Sequence, residues 1–252
     1  MAVVHIGCSG FSYPHWQGPF YPEGLTRRHW LAHYCSIFAS VELNVTFYRL
    51  LKPDTFDRWR EETPPGFAFS VKGSRFITHV KRLAEPEAPL ERFFSGVSHL
   101  GEKLAAILWQ FPPSLACDTQ RLARFLEALQ PYPVRNALEF RHDSWLREEV
   151  LEVCRARNAS LCMADWPPFI AATPLTADFV YIRRHGQEGR YSSCYSQAEL
   201  EADARRIRAY LATGRDVHIY FNNDYHGYAP RNALELTALL ACSPPGPRPG
   251  PT

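Results

Sequence analysis

Residues 137–145 read ALEFRHDSW, an apolar run interrupted by Glu139 and closed by Arg141, His142 and Asp143. The habit recurs: VELN carries Glu42 and Asn44, FAFSVK ends in Lys72, ILWQ in Gln110 and CMAD in Asp165, while VYIRRHG carries Arg183 and His185, and HIYFNND carries Tyr220, Asn222 and Asn223. Two carboxylates in one cavity can divide the roles of acid and base, because shared negative charge raises one pKa and leaves the other ionised. Glu42, Glu139, Asp165 and His185 are therefore the candidate catalytic groups. Asn44, Lys72, Arg75, Gln110, Arg141, His142, Arg183, Tyr220, Asn222 and Asn223 are candidate substrate-binding groups. The same charges could instead form a buried ion-pair network without catalysis, since buried charge persists only when paired. A third reading has the carboxylates hold a hard divalent cation together with His185 and Asn222. Only His185 and His142 stand at strand ends, and no H-x-H or H-E-x-x-H occurs, so the metal-free reading is preferred and no cofactor is expected.

Positioning such residues is the work of the runs they terminate. β-type segments at 3–7, 41–45, 67–71, 104–110, 137–140, 160–165, 179–183 and 217–221 alternate with helix-like stretches at 26–38, 54–62, 90–102, 118–130, 147–158, 196–214 and 232–241. Asp54, Asp118 and Ser196 stand at expected N-caps, and Gly214 at an expected helix end. This alternation predicts parallel β-α units closed as a single TIM-type (β/α)8 barrel over residues 1–241. No phosphate-binding glycine motif follows any strand, which removes the main reason for an open nucleotide-binding sheet. The sixth helix is expected to be short or irregular, because WPPFIAATPLTA (166–177) is rich in proline. In a barrel, strand C-termini converge on one mouth. Period-two alternation then turns Glu42, Asn44, Glu139 and Arg141 inward and Val41, Leu43, Val45, Leu138 and Phe140 outward.

At 252 residues, 46% hydrophobic and 21% charged, the chain has ample material for a large core. Residues 242–252, SPPGPRPGPT preceded by Cys242, read as a Pro/Gly-rich tail. A net charge of +2 gives no global argument for nucleic acid. Seven scattered cysteines without a C-x-x-C favour free thiols, and no leader or membrane-length apolar run is visible, so a cytoplasmic protein without a membrane partner is expected. Cys8 is the one cysteine expected near the mouth.

Two basic and aromatic loops should overhang that mouth. KGSRFITHVKR (72–82) carries Lys72, Arg75, Lys81 and Arg82 with Phe76 and His79; the seventh strand is followed by Arg183, Arg184 and Arg190 with Tyr191 and Tyr195. Such loops fit an anionic ligand, either a small anionic substrate or a nucleic acid. Trp166, beside Asp165, is the best candidate for stacking on it.

Together, IGCSGFSYPHW (6–16), FASVELNVTFYRL (38–50), WREETPPGFAFSVKGSRFITH (59–79), LAAILWQFPPS (104–114), ALEFRHDSW (137–145), FVYIRRHG (179–186) and HIYFNNDYHGYAPRNA (218–233) resemble the YecE-like family, domain of unknown function 72. The resemblance spans roughly residues 5–241 and implies a TIM-type barrel, without an established activity. The sequence departs from the family pattern at Cys8 and at Arg184, the latter expected to add positive charge at the mouth or its rim. The functional expectation is an enzyme of hydrolase, phosphoesterase or isomerase type, acting on a phosphorylated, sugar-derived or nucleic-acid-derived anion by carboxylate acid/base chemistry. The alternative is a non-catalytic protein binding nucleic acid or metabolite at the same mouth.

Overall fold

Short runs rich in Val, Ile and aromatic residues pair as strands when both faces are covered, and here each is followed by a segment that can cover it. The structure, a computed structural model, describes residues 2–165, 174–186 and 191–241. Its strands are β1 (Val4–Cys8), β2 (Ser40–Leu43), β3 (Ala68–Lys72), β4 (Leu104–Gln110), β5 (Arg135–Glu139), β6 (Ala159–Ala164), β7 (Phe179–Arg184) and β8 (Asp216–Phe221). All ladders are parallel, in the order β1-β8-β7-β6-β5-β4-β3-β2, which is a nearly closed TIM-type barrel.

The outer layer is α1 (Trp30–Cys35), α2 (Val45–Tyr48), α3 (Pro53–Glu62), α4 (Glu87–Val97), α5 (Thr119–Ala128), α6 (Glu148–Ala156), α7 (Gln197–Ala212) and α8 (Tyr228–Ala241). Asp118 caps α5 by accepting the Arg121 N–H at 2.9 Å. Ser196 and Glu199 form a reciprocal capping box on α7, and Gly214 follows that helix with φ 79°. Asp54, in contrast, lies inside α3: Pro53 opens that helix, where its missing N–H costs nothing. The single turn α2 was not foreseen. It takes over Val45, which the alternation had assigned to the strand. Over residues 174–178 the sixth connection is irregular; the rest of its Pro-rich segment, Trp166, Arg190 and the tail lie outside the described residues. Among the described residues no helix is long and apolar enough to cross a membrane.

Period-two alternation divides the burial into two layers. Outward side chains such as Val41, Leu43, Ile107, Leu138 and Phe140 pack against the helices. Inward, the barrel is filled from one side: β4, β5 and β6 offer Ala106, Leu108, Ala137, Cys162 and Ala164, and the rings of Phe179, Tyr181 and Tyr220 from β7 and β8 cross to meet them. The Tyr220 hydroxyl shares hydrogen bonds with the hydroxyls of Ser40 at 2.7 Å and Ser70 at 2.8 Å. Below it, His218 stacks on His5 with ring centroids 4.6 Å apart.

Closure between β1 and β2 differs from the other joints. Only one bridging pair, Ser9 and Glu42, is a backbone contact of ladder type. Beside it the Tyr34 hydroxyl of α1 stands between the strands: it accepts the Cys8 N–H at 2.8 Å and donates to the Ser40 carbonyl at 2.9 Å. Gly7 makes the approach possible, since a Cβ there would lie 2.1 Å from the Ser40 carbonyl oxygen.

Candidate functional site

Inward positions at the strand C-termini place Glu42, Lys72, Glu139, Arg141 and Arg183 in one mouth, all of them buried. Arg183 is its centre. Its Nε donates to both Glu42 oxygens at 3.1 and 3.0 Å, its Nη2 to Glu42 Oε1 at 2.8 Å, and its Nη1 to Glu139 Oε2 at 2.7 Å. Arg141 Nη2 donates to the other Glu139 oxygen, and the Tyr181 hydroxyl donates to Glu42 Oε2 at 2.7 Å. Burial alone would raise the Glu139 carboxyl, but Arg183 and Arg141 outweigh it and hold the group well below the usual carboxylate range. Arg183 stands between Glu42 on one side and Glu139 on the other, so the two carboxylates face a guanidinium rather than each other, and the unshielded shared negative charge that would set an acid apart from a base does not arise from this arrangement. Their oxygens are equally committed with respect to a divalent cation. Among the described residues no three His, Cys, Asp or Glu side chains gather in a metal-holding group.

His185 closes the ring. Its Nε2 faces Arg141 Nη2 at 3.0 Å and Arg183 Nη1 at 3.3 Å, and its Nδ1 lies 3.0 Å from the Asn222 amide. The Asn222 amide nitrogen donates to Nδ1, and Nε2 also stands 3.4 Å from Glu139 Oε1. Burial, then the Arg183 charge, lowers the His185 pKa, keeping the ring neutral. Tyr191 packs against it in a T-shaped contact, with ring centroids 5.2 Å apart.

Lys72 has a different setting. Its Nζ lies 4.2 Å from the centroid of the Phe47 ring, and among the described residues no carboxylate comes within ion-pair distance of it. Burial, followed by the charge of Arg183, lowers its pKa to about 8 against the partial support of Glu139 and Glu42. The two glutamates are thus matched by two guanidiniums, and Lys72 adds a positive charge without a counter-ion of its own. On the β1–β2 side, Ser9 Oγ and Asn44 Oδ1 are buried without a hydrogen-bond partner among the described residues.

Other expected groups are placed differently. Asp165 accepts the His185 backbone N–H at 2.6 Å and the Tyr195 hydroxyl, fastening the end of β6 to the segment after β7. Gln110 stands at the mouth beside Glu139 in the β4–β5 pairing. Tyr220 lies one layer deeper, on the serine hydroxyls. Asn223 is buried against Ser193 and Asn232, and His142 accepts the Ser144 N–H to cap the short turn Asp143–Trp145. Arg75 is exposed and lines a surface groove instead. Arg184 corrects the expectation of a charged rim: it points outward and pairs with Asp203 of α7, with Nε to Oδ2 at 2.7 Å, in the layer between barrel and helices. Cys8 likewise belongs to the outer core, where burial pushes its thiol far above the range of a nucleophile. Phe47 and Tyr181 escaped the sequence reading, although Tyr181 stands two residues before Arg183 and shares its face.

Comparison with known proteins follows the same outline. The family described as "Protein of unknown function DUF72" matches residues 5–251. UPF0759 protein YunF of Bacillus subtilis (strain 168) is 28% identical over an alignment of 272 residues, covering 94% of this chain and 95% of that protein. The crystal structure of a DUF72 family protein from Thermotoga maritima superposes with a TM-score of 0.83 at 33% identity, covering 95% of this chain and 99% of the other. A D-psicose 3-epimerase superposes with a TM-score of 0.57 at 12% identity over 94% of this chain and 97% of the other, a likeness of fold alone.

Proposed function

The chain belongs to the DUF72 family, and from that premise and the geometry of the mouth we propose an enzyme that moves a proton on a small anionic substrate. The observation that carries this reading is Lys72, a buried ammonium without a carboxylate partner among the described residues, lying on the Phe47 ring beside an ion-paired floor. An anionic group of the substrate supplies the missing counter-charge. The same lysine, with a pKa near 8, is matched to proton transfer close to neutral pH. Glu42, Glu139, Arg141 and Arg183 act as a rigid electrostatic frame rather than as the acid and base themselves. Ser9 Oγ and Asn44 Oδ1 offer the ligand a hydroxyl and an acceptor that no group among the described residues uses. Of the reaction types expected from the sequence, an isomerase-type proton transfer asks least of the paired glutamates.

The test is a thermal-shift screen of phosphorylated and carboxylated sugars against the parent and Lys72→Met, followed by proton NMR of each hit in D2O. At least one compound should raise the parent's melting temperature but not the variant's, and should exchange a C–H for deuterium in the presence of the parent. Equal shifts in both proteins, or none in either, would sink the reading. Binding without turnover is the second reading, favoured by the neutralisation of both glutamates; a hit that never exchanges deuterium selects it.

A further inference from the structure

Beside the mouth, between the turn after β2, the segment after β3 and the start of α4, lies a groove of about 600 Å³. Its lining is unusual for a protein surface. Tyr48 is 77% exposed, Phe76 49%, Val80 58% and Leu50 48%, so four of the eleven exposed large hydrophobics of the described chain meet in this one place. Singly exposed apolar side chains need no explanation, but a contiguous set rimmed by charge marks a binding surface. The rim is basic. Lys81 is matched by Glu85 at 2.8 Å, whereas Arg49, Arg75 and Arg92 pair with no carboxylate among the described residues. Phe76 opens a π-type turn, Phe76–Val80, an irregular helical geometry often found at functional sites.

Aromatic faces alternating with unpaired guanidiniums fit a ligand that is itself planar rings strung on a chain of anions. We propose that this groove binds single-stranded nucleic acid, with bases stacking on Tyr48 and Phe76 and phosphates held by Arg49, Arg75 and Arg92. An acidic peptide would satisfy the arginines but leave the rings uncovered. A lipid surface needs protruding side chains on a convex face, whereas these line a concavity. Duplex DNA keeps its bases stacked on one another, so only unpaired bases can reach the rings. The groove adjoins the mouth through Phe47, which lines it while lying against Lys72. The proposal does not rest on any chemistry in the mouth.

Fluorescence anisotropy of a labelled oligothymidylate of about twelve nucleotides, a length within the usual site sizes, tests it on the full chain. Tyr48→Ala and Phe76→Ala should each weaken binding about 5- to 100-fold, the effect of losing one base-ring stack. The double substitution Arg75→Ala with Arg92→Ala should flatten the dependence of log affinity on log salt by about 1.4. The matching duplex should bind more weakly than the strand, and Lys72→Met should bind it as the parent does. Melting curves should coincide, since the truncated side chains are exposed. Ring variants that bind like the parent would reduce the groove to bulk electrostatics and overturn the proposal. So would loss of binding in Lys72→Met, which would move the strand into the mouth, or ring-dependent binding of phosphatidylglycerol vesicles without binding of the strand, which would make this a membrane surface.

Discussion

Glu139 receives hydrogen bonds from two arginines inside a barrel, and its fate on substitution follows from them. Glu139→Gln keeps the shape but leaves Arg141 and Arg183 with one carboxylate between them. A loss of about 3–5 kcal/mol is expected, the cost of breaking a buried pair by removing one partner. Urea denaturation of parent and variant measures it; an unchanged midpoint would return Glu139 to the catalytic role that the sequence suggested. Lys72 gives a second prediction. Anion binding requires its charged form, so affinity in the mouth should fall as pH rises through about 8. The ligand-free protein should do the opposite and gain stability between pH 8 and 10.5, because there the unfolded chain still holds the proton that the folded one has released. Lys72→Met should remove that gain; stability profiles of equal slope across this interval would show that Lys72 titrates normally. Much of the mouth was legible in the sequence, since period-two alternation aimed Glu42, Glu139 and Arg141 inward and the recurring polar strand ends marked Arg183. Their pairing was not, because a charge at a strand end does not say which neighbouring strand will answer it.

At the level of elements, the order of strands could be read from alternating apolar runs, and the ends of α5 and α7 from Asp118, Ser196 and Gly214. Ser196 offers a direct check. Ser196→Ala removes the acceptor for the Glu199 N–H and opens the capping box, at a cost of about 1 kcal/mol. The denaturation midpoint should fall while the slope, which follows the surface exposed, stays the same; no change would mean that the first turn of α7 is held by packing alone. Arg184 shows where reading by element fails. It adjoins Arg183, yet strand alternation sends one into the mouth and the other to Asp203, and only knowledge of α7's position separates a rim charge from an interlayer pair. The turn α2 was hidden for a related reason: four residues carry too little periodicity to announce a helix, and this one places Tyr48 on the surface.

For the molecule as a whole, the joint between β1 and β2 sets the character of the barrel. Tyr34→Phe would strand the Cys8 N–H and the Ser40 carbonyl away from water, at about 1–3 kcal/mol for each group left without a partner. Hydrogen exchange should then accelerate at Cys8 well before it does at the β7–β8 ladder; uniform protection around the barrel would show that the remaining contacts close the joint unaided. A ring whose last joint is one backbone bridge and a side chain is close to a sheet with two ends. When the hydroxyl lets go, only the Ser9–Glu42 bridge joins the two strands, and edges loosened in this way, with unpaired backbone groups, accept strands from any chain nearby. Tyr34 therefore also guards against self-association: concentrated solutions of Tyr34→Phe should form aggregates on mild warming, at temperatures where the parent stays monodisperse by light scattering.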